Sequence, residues 1–312
     1  MSTEELKIAI IGLDTSHAPL FAELLNNPDH PHHVRGGKVT AAYPGGSPDF
    51  ELSIGRVDKF TAEVRDNSGV PIVQSIQEAA ENADAILLLS VDGRVHLEQF
   101  RQIVPYGKPV FIDKPFAVTT RDAKTIYRLA QEHGIPLMSC SSVRWSEGLG
   151  RALDSADQGN IIGVDTYGPM ELQSTQPGFY WYGIHAADML YRSMGKGCKE
   201  VTVTTNADHD LAVGVWEDGR VGTLRGNRKG NRRFGALIHR EQGTEHVDVY
   251  ADGKPYYASM LEEVIRMFQT GAAPIDMTET LEVIAFLEAA NESRETGRTV
   301  KLDTGISPVA SS

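Results

Sequence analysis

The sequence predicts an α/β protein in two parts: an N-terminal Rossmann-type, doubly wound parallel sheet, and a C-terminal α+β domain with a largely antiparallel open sheet. Three observations carry this expectation. Short apolar runs alternate with helical stretches as far as residue 140, the rhythm of a parallel sheet covered by helices on both faces. After Cys140 the alternation stops. Beyond Val201, strand-like runs succeed one another across turn residues with no helix between them. At roughly 150 residues per domain, the 312-residue chain is expected to divide into residues 1–140 and residues 141–312.

Lys7-Ile8-Ala9-Ile10-Ile11 is a nearly continuous apolar run ending at Gly12, as befits a strand buried on both faces. Asp14, Thr15 and Ser16 offer helix N-caps, and Leu20, Phe21, Leu24 and Leu25 supply the apolar face of a helix that stops near Asn26-Asn27-Pro28. Residues 38–43 read as a second strand closed by Pro44-Gly45-Gly46, residues 75–82 as a helix, and residues 85–89 as a third buried strand. A helix over 95–104, a strand over 110–112, a helix over 120–133 and a strand over 136–138 complete the first part. The second part opens with a helix over about 147–157, a stretch at 163–172, and a helix from Gly183 through His185, Asp188 and Leu190. Strands are expected over 201–205, 211–216, 221–225, 234–239 and 246–250, with Glu217-Asp218-Gly219-Arg220 and Ala251-Asp252-Gly253-Lys254 as hairpin-like turns. Two helices, about 257–270 and 278–296, precede a polar tail from Asp303.

Composition excludes several classes. With 30 Lys+Arg against 42 Asp+Glu, the net charge is −12, and a nucleic-acid or anionic-membrane binder would need a basic face instead. Two cysteines, Cys140 and Cys198, cannot make a disulfide framework and read as buried fillers in a reducing compartment. The N-terminal residues show no basic region followed by an apolar stretch, and no apolar run approaches the roughly 18 residues that span a bilayer. A cytoplasmic protein is expected.

Three places could carry chemistry. A strand running into Gly12 and then a helix is where an open α/β sheet binds phosphate on a helix N-terminus. Gly12-Leu13-Asp14-Thr15-Ser16-His17 keeps only the first glycine of the G-x-G-x-x-G fingerprint, and Asp14 stands where the second glycine would let the backbone approach a pyrophosphate. Tyr43-Pro44-Gly45-Gly46 occupies the position of the ribose-binding acid. Read without a dinucleotide, Asp14 is a helix cap beside a site for something smaller, or for nothing. The second place is Phe111-Ile112-Asp113-Lys114-Pro115-Phe116, which puts a lysine at the carboxyl end of a buried strand, able to donate to a substrate oxygen. A plain turn is the alternative. The third is Tyr180-Trp181-Tyr182-Gly183-Ile184-His185-Ala186-Ala187-Asp188. Its His185 and Asp188 share a helix face, histidine suits proton transfer near neutrality, and the aromatic rings can stack on a sugar; a capping histidine beside core aromatics is the bland reading.

Taken in order, strand–Gly, Asp113-Lys114-Pro115, the Gly-x-His-x-x-Asp of Gly183 to Asp188 and the closing Ala289-Ala290-Asn291-Glu292-Ser293-Arg294-Glu295-Thr296-Gly297-Arg298 resemble the Gfo/Idh/MocA oxidoreductase family over nearly the whole chain. The resemblance implies an N-terminal Rossmann domain, a C-terminal domain whose open sheet makes oligomer contacts, and a nicotinamide cofactor used on a sugar, inositol or related polyol. It makes Lys114 the catalytic lysine and His185 the acid/base. Gly12, Leu13, Asp14, Thr15, Ser16, Tyr43, Ser90, Val91, His96, Asp113, Lys114 and Pro115 become the expected cofactor contacts. Lys114, Arg144, Trp145, Tyr180, Trp181, Tyr182 and His185 become the expected substrate contacts. The family commonly has an aspartate two residues before the glycine that precedes His185, and here Trp181 replaces it. NAD is preferred to NADP, since no arginine follows Tyr43 to hold an extra phosphate.

The reading is therefore an NAD(P)-dependent dehydrogenase or reductase, homo-oligomeric, with no metal and with no nucleic-acid or membrane partner. The alternatives are a lyase or isomerase that abstracts a proton beside a carbonyl without net redox change, and a catalytically idle ligand-binding relative. Elsewhere, His30, His32 and His33, and Asp208-His209-Asp210, read as loops and turns in preference to metal sites. Arg225, Arg228, Lys229, Arg232, Arg233 and Arg240 form a basic run suited to a subunit contact, an anionic ligand group or a plain sheet edge.

Overall fold

The computed structural model describes residues 5–251 and 253–303. The apolar runs of the first part become β1 (Leu6–Ile11), β2 (Gly37–Tyr43), β3 (Ala85–Leu88), β4 (Val110–Asp113) and β5 (Leu137–Cys140). All pair in parallel, in the order β2-β1-β3-β4-β5. A single parallel bridge between Ala42 and Ile72 continues the sheet beyond β2. The helices are α1 (His17–Asn26), α2 (Glu51–Ser68), α3 (Ile76–Glu81), α4 (His96–Ile103) and α5 (Thr120–Glu132). Ile8, Ile10 and Ile11 are fully buried, each stabilising the fold by about 1.5–3 kcal/mol relative to exposure.

Helix α2 is the element the sequence reading omits: no helix is expected between Gly46 and Ser75. Only Ser53, Phe60 and Val64 of its residues are buried, so it carries almost no apolar periodicity to read. It ends on Gly69, whose φ of +64° supplies the left-handed cap.

The second part contains α6 (Glu147–Asp154), β6 (Ile161–Pro169), α7 (Gly183–Met194), β7 (Cys198–Thr205), β8 (His209–Trp216), β9 (Val221–Asn227), β10 (Gly235–Arg240), β11 (Gly243–Asp248), α8 (Tyr256–Thr270), α9 (Met277–Thr296) and β12 (Val300–Lys301). The sheet order is β11-β10-β6-β9-β8-β7-β12, antiparallel except where β6 lies parallel to β9. The expected turn at residues 217–220 does join β8 to β9. Of the other, Asp252 lies outside the described residues, and its neighbours lead from β11 into α8 rather than into another strand.

The two long C-terminal helices bind the sheets together. Ala258, Leu261, Val264, Met267 and Phe268 of α8 join the core built on β1, β2 and α1. On α9, Thr280 Oγ1 donates to Ser139 O (3.4 Å), Glu288 accepts from Thr120 N (3.2 Å), and Ser293 Oγ accepts from Val203 N (2.9 Å). One apolar cluster accordingly runs from α3, α4 and α5 through α9 to β7, β8 and β9.

Candidate active site

At the end of β1 the chain must turn over the neighbouring strand, and only glycine fits. Gly12 has φ +98°, and a Cβ there would lie 2.3 Å from Ser90 N. Asp14 does not point into open space. Its Oδ2 accepts from Ser53 Oγ (2.6 Å) at the start of α2, and its Oδ1 from Val91 N (3.0 Å) after β3. Ser53 Oγ in turn accepts from Ser47 N (2.8 Å). Burial pushes the Asp14 pKa up against these hydrogen bonds.

His17, the first residue of α1, places Nδ1 2.5 Å from Asp113 Oδ2, and its ring packs against Phe21 and Tyr257. Burial raises the Asp113 pKa, but the His17 ring and Lys114 outweigh it and hold the carboxyl below the usual range. Lys114 follows, with a cis bond to Pro115. Its side chain is buried, and its ammonium lies 5.8 Å from the centre of the Trp181 ring. Desolvation lowers its pKa, an effect that Asp113 opposes and Arg56 reinforces.

His185, in the first turn of α7, sets Nδ1 2.6 Å from Ser141 Oγ. Burial first, then the charges of Lys114 and His17, push its pKa well below 6.5, so the imidazole is neutral at physiological pH. Asp188 lies one turn on and grips the same residue through Ser141 N (2.6 Å), but its other oxygen is bound by Arg144 (2.9 Å). Arg144 also pairs with Glu279 (2.7 Å).

These side chains surround one cavity of about 310 Å³ at the carboxyl edge of the parallel sheet, lined by Thr15, Ser16, His17, Lys114 and His185 from the elements above. Arg56, Val91, Trp181, Tyr182, Arg232, Phe234, Tyr250, Tyr256 and Tyr257 also line it.

Residues 6–140 match the model of the oxidoreductase family with an NAD-binding Rossmann fold, GFO_IDH_MocA. Over that stretch, somewhat less than half of the chain, the sequence is similar to the Gfo/Idh/MocA family. The chain is 24% identical over 143 residues to the uncharacterized oxidoreductase YhhX of Escherichia coli (strain K12), a match that spans 41% of each chain. Its fold resembles that of scyllo-inositol dehydrogenase from Lactobacillus casei, solved with NAD(H) and scyllo-inositol (TM-score 0.80, 15% identity, 96% of this chain and 99% of that one). It also resembles myo-inositol 2-dehydrogenase from Lactobacillus plantarum (TM-score 0.79, 17% identity, 96% and 100%). At these identities the likeness is one of fold.

The Rossmann-type part of this chain suits a dinucleotide at one end of its crevice and is crowded at the other. Thr15 and Ser16 keep backbone N–H groups without partners among the described residues, at the positive end of α1 where a pyrophosphate binds. Ser90 Oγ, beside Gly12, is buried without a partner. At the ribose end, however, residues 44–46 cross the crevice. Leu13 N donates to Pro44 O (2.7 Å), and a Cβ on Gly45 would stand 3.5 Å from Gly12 Cα. Tyr43 offers no carboxylate, and Asp49 is taken by Arg94 (2.8 Å). Phe50 packs edge-on against Trp181, which carries the crossing segment to the second part of the chain.

Several expected contacts are corrected by their packing. Leu13 is a core side chain, Asp14 is consumed by Ser53 and Val91, and Tyr43 packs against the core. His96 is buried with both ring nitrogens facing carbonyl oxygens, Ser90 O (2.8 Å) and Phe116 O (3.2 Å). It staples two loops and does not line the cavity. Arg144 is locked between Asp188 and Glu279. Trp145 donates to Cys140 Sγ (3.2 Å) and lies under Arg192, and Tyr180 is inside the core. Trp181 and Tyr182 alone of the expected ring wall reach the cavity. Sequence reading missed His17, Arg56, Phe234, Tyr250, Tyr256 and Tyr257, which come from five separate segments with no shared motif.

The basic run of the second part disperses. Arg228 pairs with Asp210, Lys229 with Asp208, Arg232 with Glu171 and Arg233 with Asp248, while Arg240 donates to the Gly159, Ala152 and Leu153 carbonyls. Among the described residues no group of His, Cys, Asp and Glu is placed to hold a metal, and no helix is long and apolar enough to cross a membrane.

Proposed function

We propose that this chain is an NAD-dependent oxidoreductase acting on a hydroxyl or carbonyl of a sugar-like or polyol substrate. The observation that carries the reading is the pairing of a buried lysine with a neutral histidine in one cavity, beside the N-terminus of α1. When bound, the nicotinamide supplies the two-electron acceptor or donor. Thr15 and Ser16 hold the phosphates, and Trp181 and Tyr182 wall the ring of the substrate. In oxidation, the Nε2 of His185 takes the hydroxyl proton while the Lys114 ammonium donates to the same oxygen and stabilises its developing negative charge. Ser141 fixes the imidazole through Nδ1, so the opposite nitrogen faces the cavity. In reduction the same proton returns from His185 to the carbonyl oxygen.

A non-redox proton abstraction beside a carbonyl is the second reading, favoured by the segment that crosses the ribose end of the crevice. Thermal unfolding with NAD, NADH, NADP and NADPH at millimolar concentration separates the two. At about 100 times its dissociation constant a ligand stabilises by about 2.7 kcal/mol, and a shift with NAD followed by polyol-dependent NADH formation supports the first reading. No shift with any of the four, together with turnover in their absence, overturns it. The outward face of the second sheet carries Leu211, Val213, Val221 and Leu237, only partly covered or exposed. We propose that copies of the chain pair through this face, which sedimentation at micromolar concentration tests: a monomer there refutes it.

A further inference from the structure

The cavity is cationic in a chain of net charge −12. Lys114 is 8% exposed, and its ammonium has no hydrogen-bond or ion-pair partner among the described residues. Arg56, in the second turn of α2, lines the same cavity and likewise makes no hydrogen bond or ion pair among them. Arg232 is already paired with Glu171. No Asp or Glu lines the cavity, and the two carboxylates nearest to it in sequence are spoken for: Asp113 by His17, and Asp14 by Ser53 and Val91 N.

We infer that the substrate handled in this cavity carries a carboxylate or phosphate group, and that Arg56 recognises it. The inference deepens the oxidoreductase reading and rests on its assignment of the cavity to substrate. A neutral polyol needs acceptors as well as donors, and no carboxylate lines this cavity. An anion needs donors and positive charge, and the cavity supplies two side-chain cations without hydrogen-bond or ion-pair partners among the described residues, which repel each other until something negative lies between them. Arg56 does not reach the cavity by chance. Ser53 is three residues earlier on the same face of α2, and its hydroxyl is fastened to Asp14. The carboxylate that replaces the second fingerprint glycine therefore positions the helix that presents Arg56. A guanidinium binds carboxylate or phosphate with two parallel hydrogen bonds, and the hydroxyl of Tyr182, which lines the same cavity, remains for the neutral part of the molecule.

The test uses the full-length protein and matched pairs at constant ionic strength: D-glucuronate and D-glucose 6-phosphate against D-glucose, and D-gluconate against myo-inositol, with affinities from calorimetry. At least one acidic member is expected to bind about tenfold or more tightly than its neutral counterpart, the scale of a charge-assisted bidentate contact. Arg56→Gln is expected to erase that preference and Arg56→Lys to restore part of it. The phosphate and carboxylate arms identify which group is read. Equal binding of neutral sugars, no binding of any acid at millimolar concentration, or a preference that survives in R56Q overturns the inference. So does a loss of NAD affinity in R56Q with sugar preference intact, because Arg56 would then serve the cofactor. NAD-linked turnover is followed separately: its absence alongside a retained acid preference sinks the oxidoreductase reading and leaves this one standing.

Discussion

Lys114 is costly where it is. Its folded pKa lies below the unfolded value of 10.5, so the fold is fully relieved of this charge only above that pH, and the relief is lost as pH falls through the lowered pKa. Burial penalises the charged form, and the charges of Asp113 and Asp14 offset only part of that cost. Lys114→Met is therefore expected to raise the melting temperature by about 2 °C or more while reducing turnover by about 10²–10⁴-fold; a melting temperature that falls instead would show the ammonium to be structurally satisfied. His185 carries the complementary sign. Its pKa is depressed, so the stability it contributes is complete above 6.5 and lost as pH falls through the lowered value. Oxidation, which needs the neutral ring, should keep its rate below pH 6.5 and lose it only on further acidification. A pH–rate profile with its acid limb at or above 6.5, absent from His185→Gln, would refute the assignment. Both residues were legible in the sequence because each sits in a short motif. Their neighbours were not: His17 reaches Asp113 across 96 positions, and Ser141 reaches His185 across 44, distances over which no local pattern carries information.

Among the elements, the strands were the easiest to read and α2 the hardest, for one physical reason. β1, β3, β4 and β5 are buried on both faces over most of their length and are correspondingly rich in apolar residues, whereas α2 lies on the surface and is held by polar contacts that leave no hydrophobic stripe. The latch between Asp14 and Ser53 is the chief of these. Its loss strands a buried carboxylate oxygen and the N–H of Ser47 together, and an unsatisfied buried group costs about 1–3 kcal/mol. Ser53→Ala should lower the free energy of urea unfolding by that amount and speed amide exchange over residues 44–56 ahead of the rest of the chain. A cost under about 0.5 kcal/mol, within the ordinary range of surface substitutions, would mean that α2 is held elsewhere. The altered fingerprint was visible in the sequence; that its aspartate fastens a helix was not, because the helix itself had no readable signal.

At the scale of the whole molecule, two sheets with different topologies would ordinarily be expected to unfold apart. Here α8 completes the core of the first sheet, and α9 is hydrogen-bonded to both through Ser139, Thr120 and Val203. The run Ala289 to Arg298, picked out in the sequence for a resemblance, does this stitching. Asn291 accepts from Phe179 N (2.9 Å) and so fixes the turn that leads to Trp181, Arg294 reaches Asp210, and Ser293 ties β7 to the end of the helix. Phe286, on the same helix, is fully buried and packs edge-on against Tyr191 of α7. Phe286→Ala should cost about 3–5 kcal/mol, and because α9 belongs to both cores, hydrogen exchange in denaturant should show β3 and β8 losing protection at one shared, lowered midpoint. Separate midpoints, with only β8 displaced, would mean that the first sheet stands on α8 alone and that the cavity between the two parts is free to open without unfolding either.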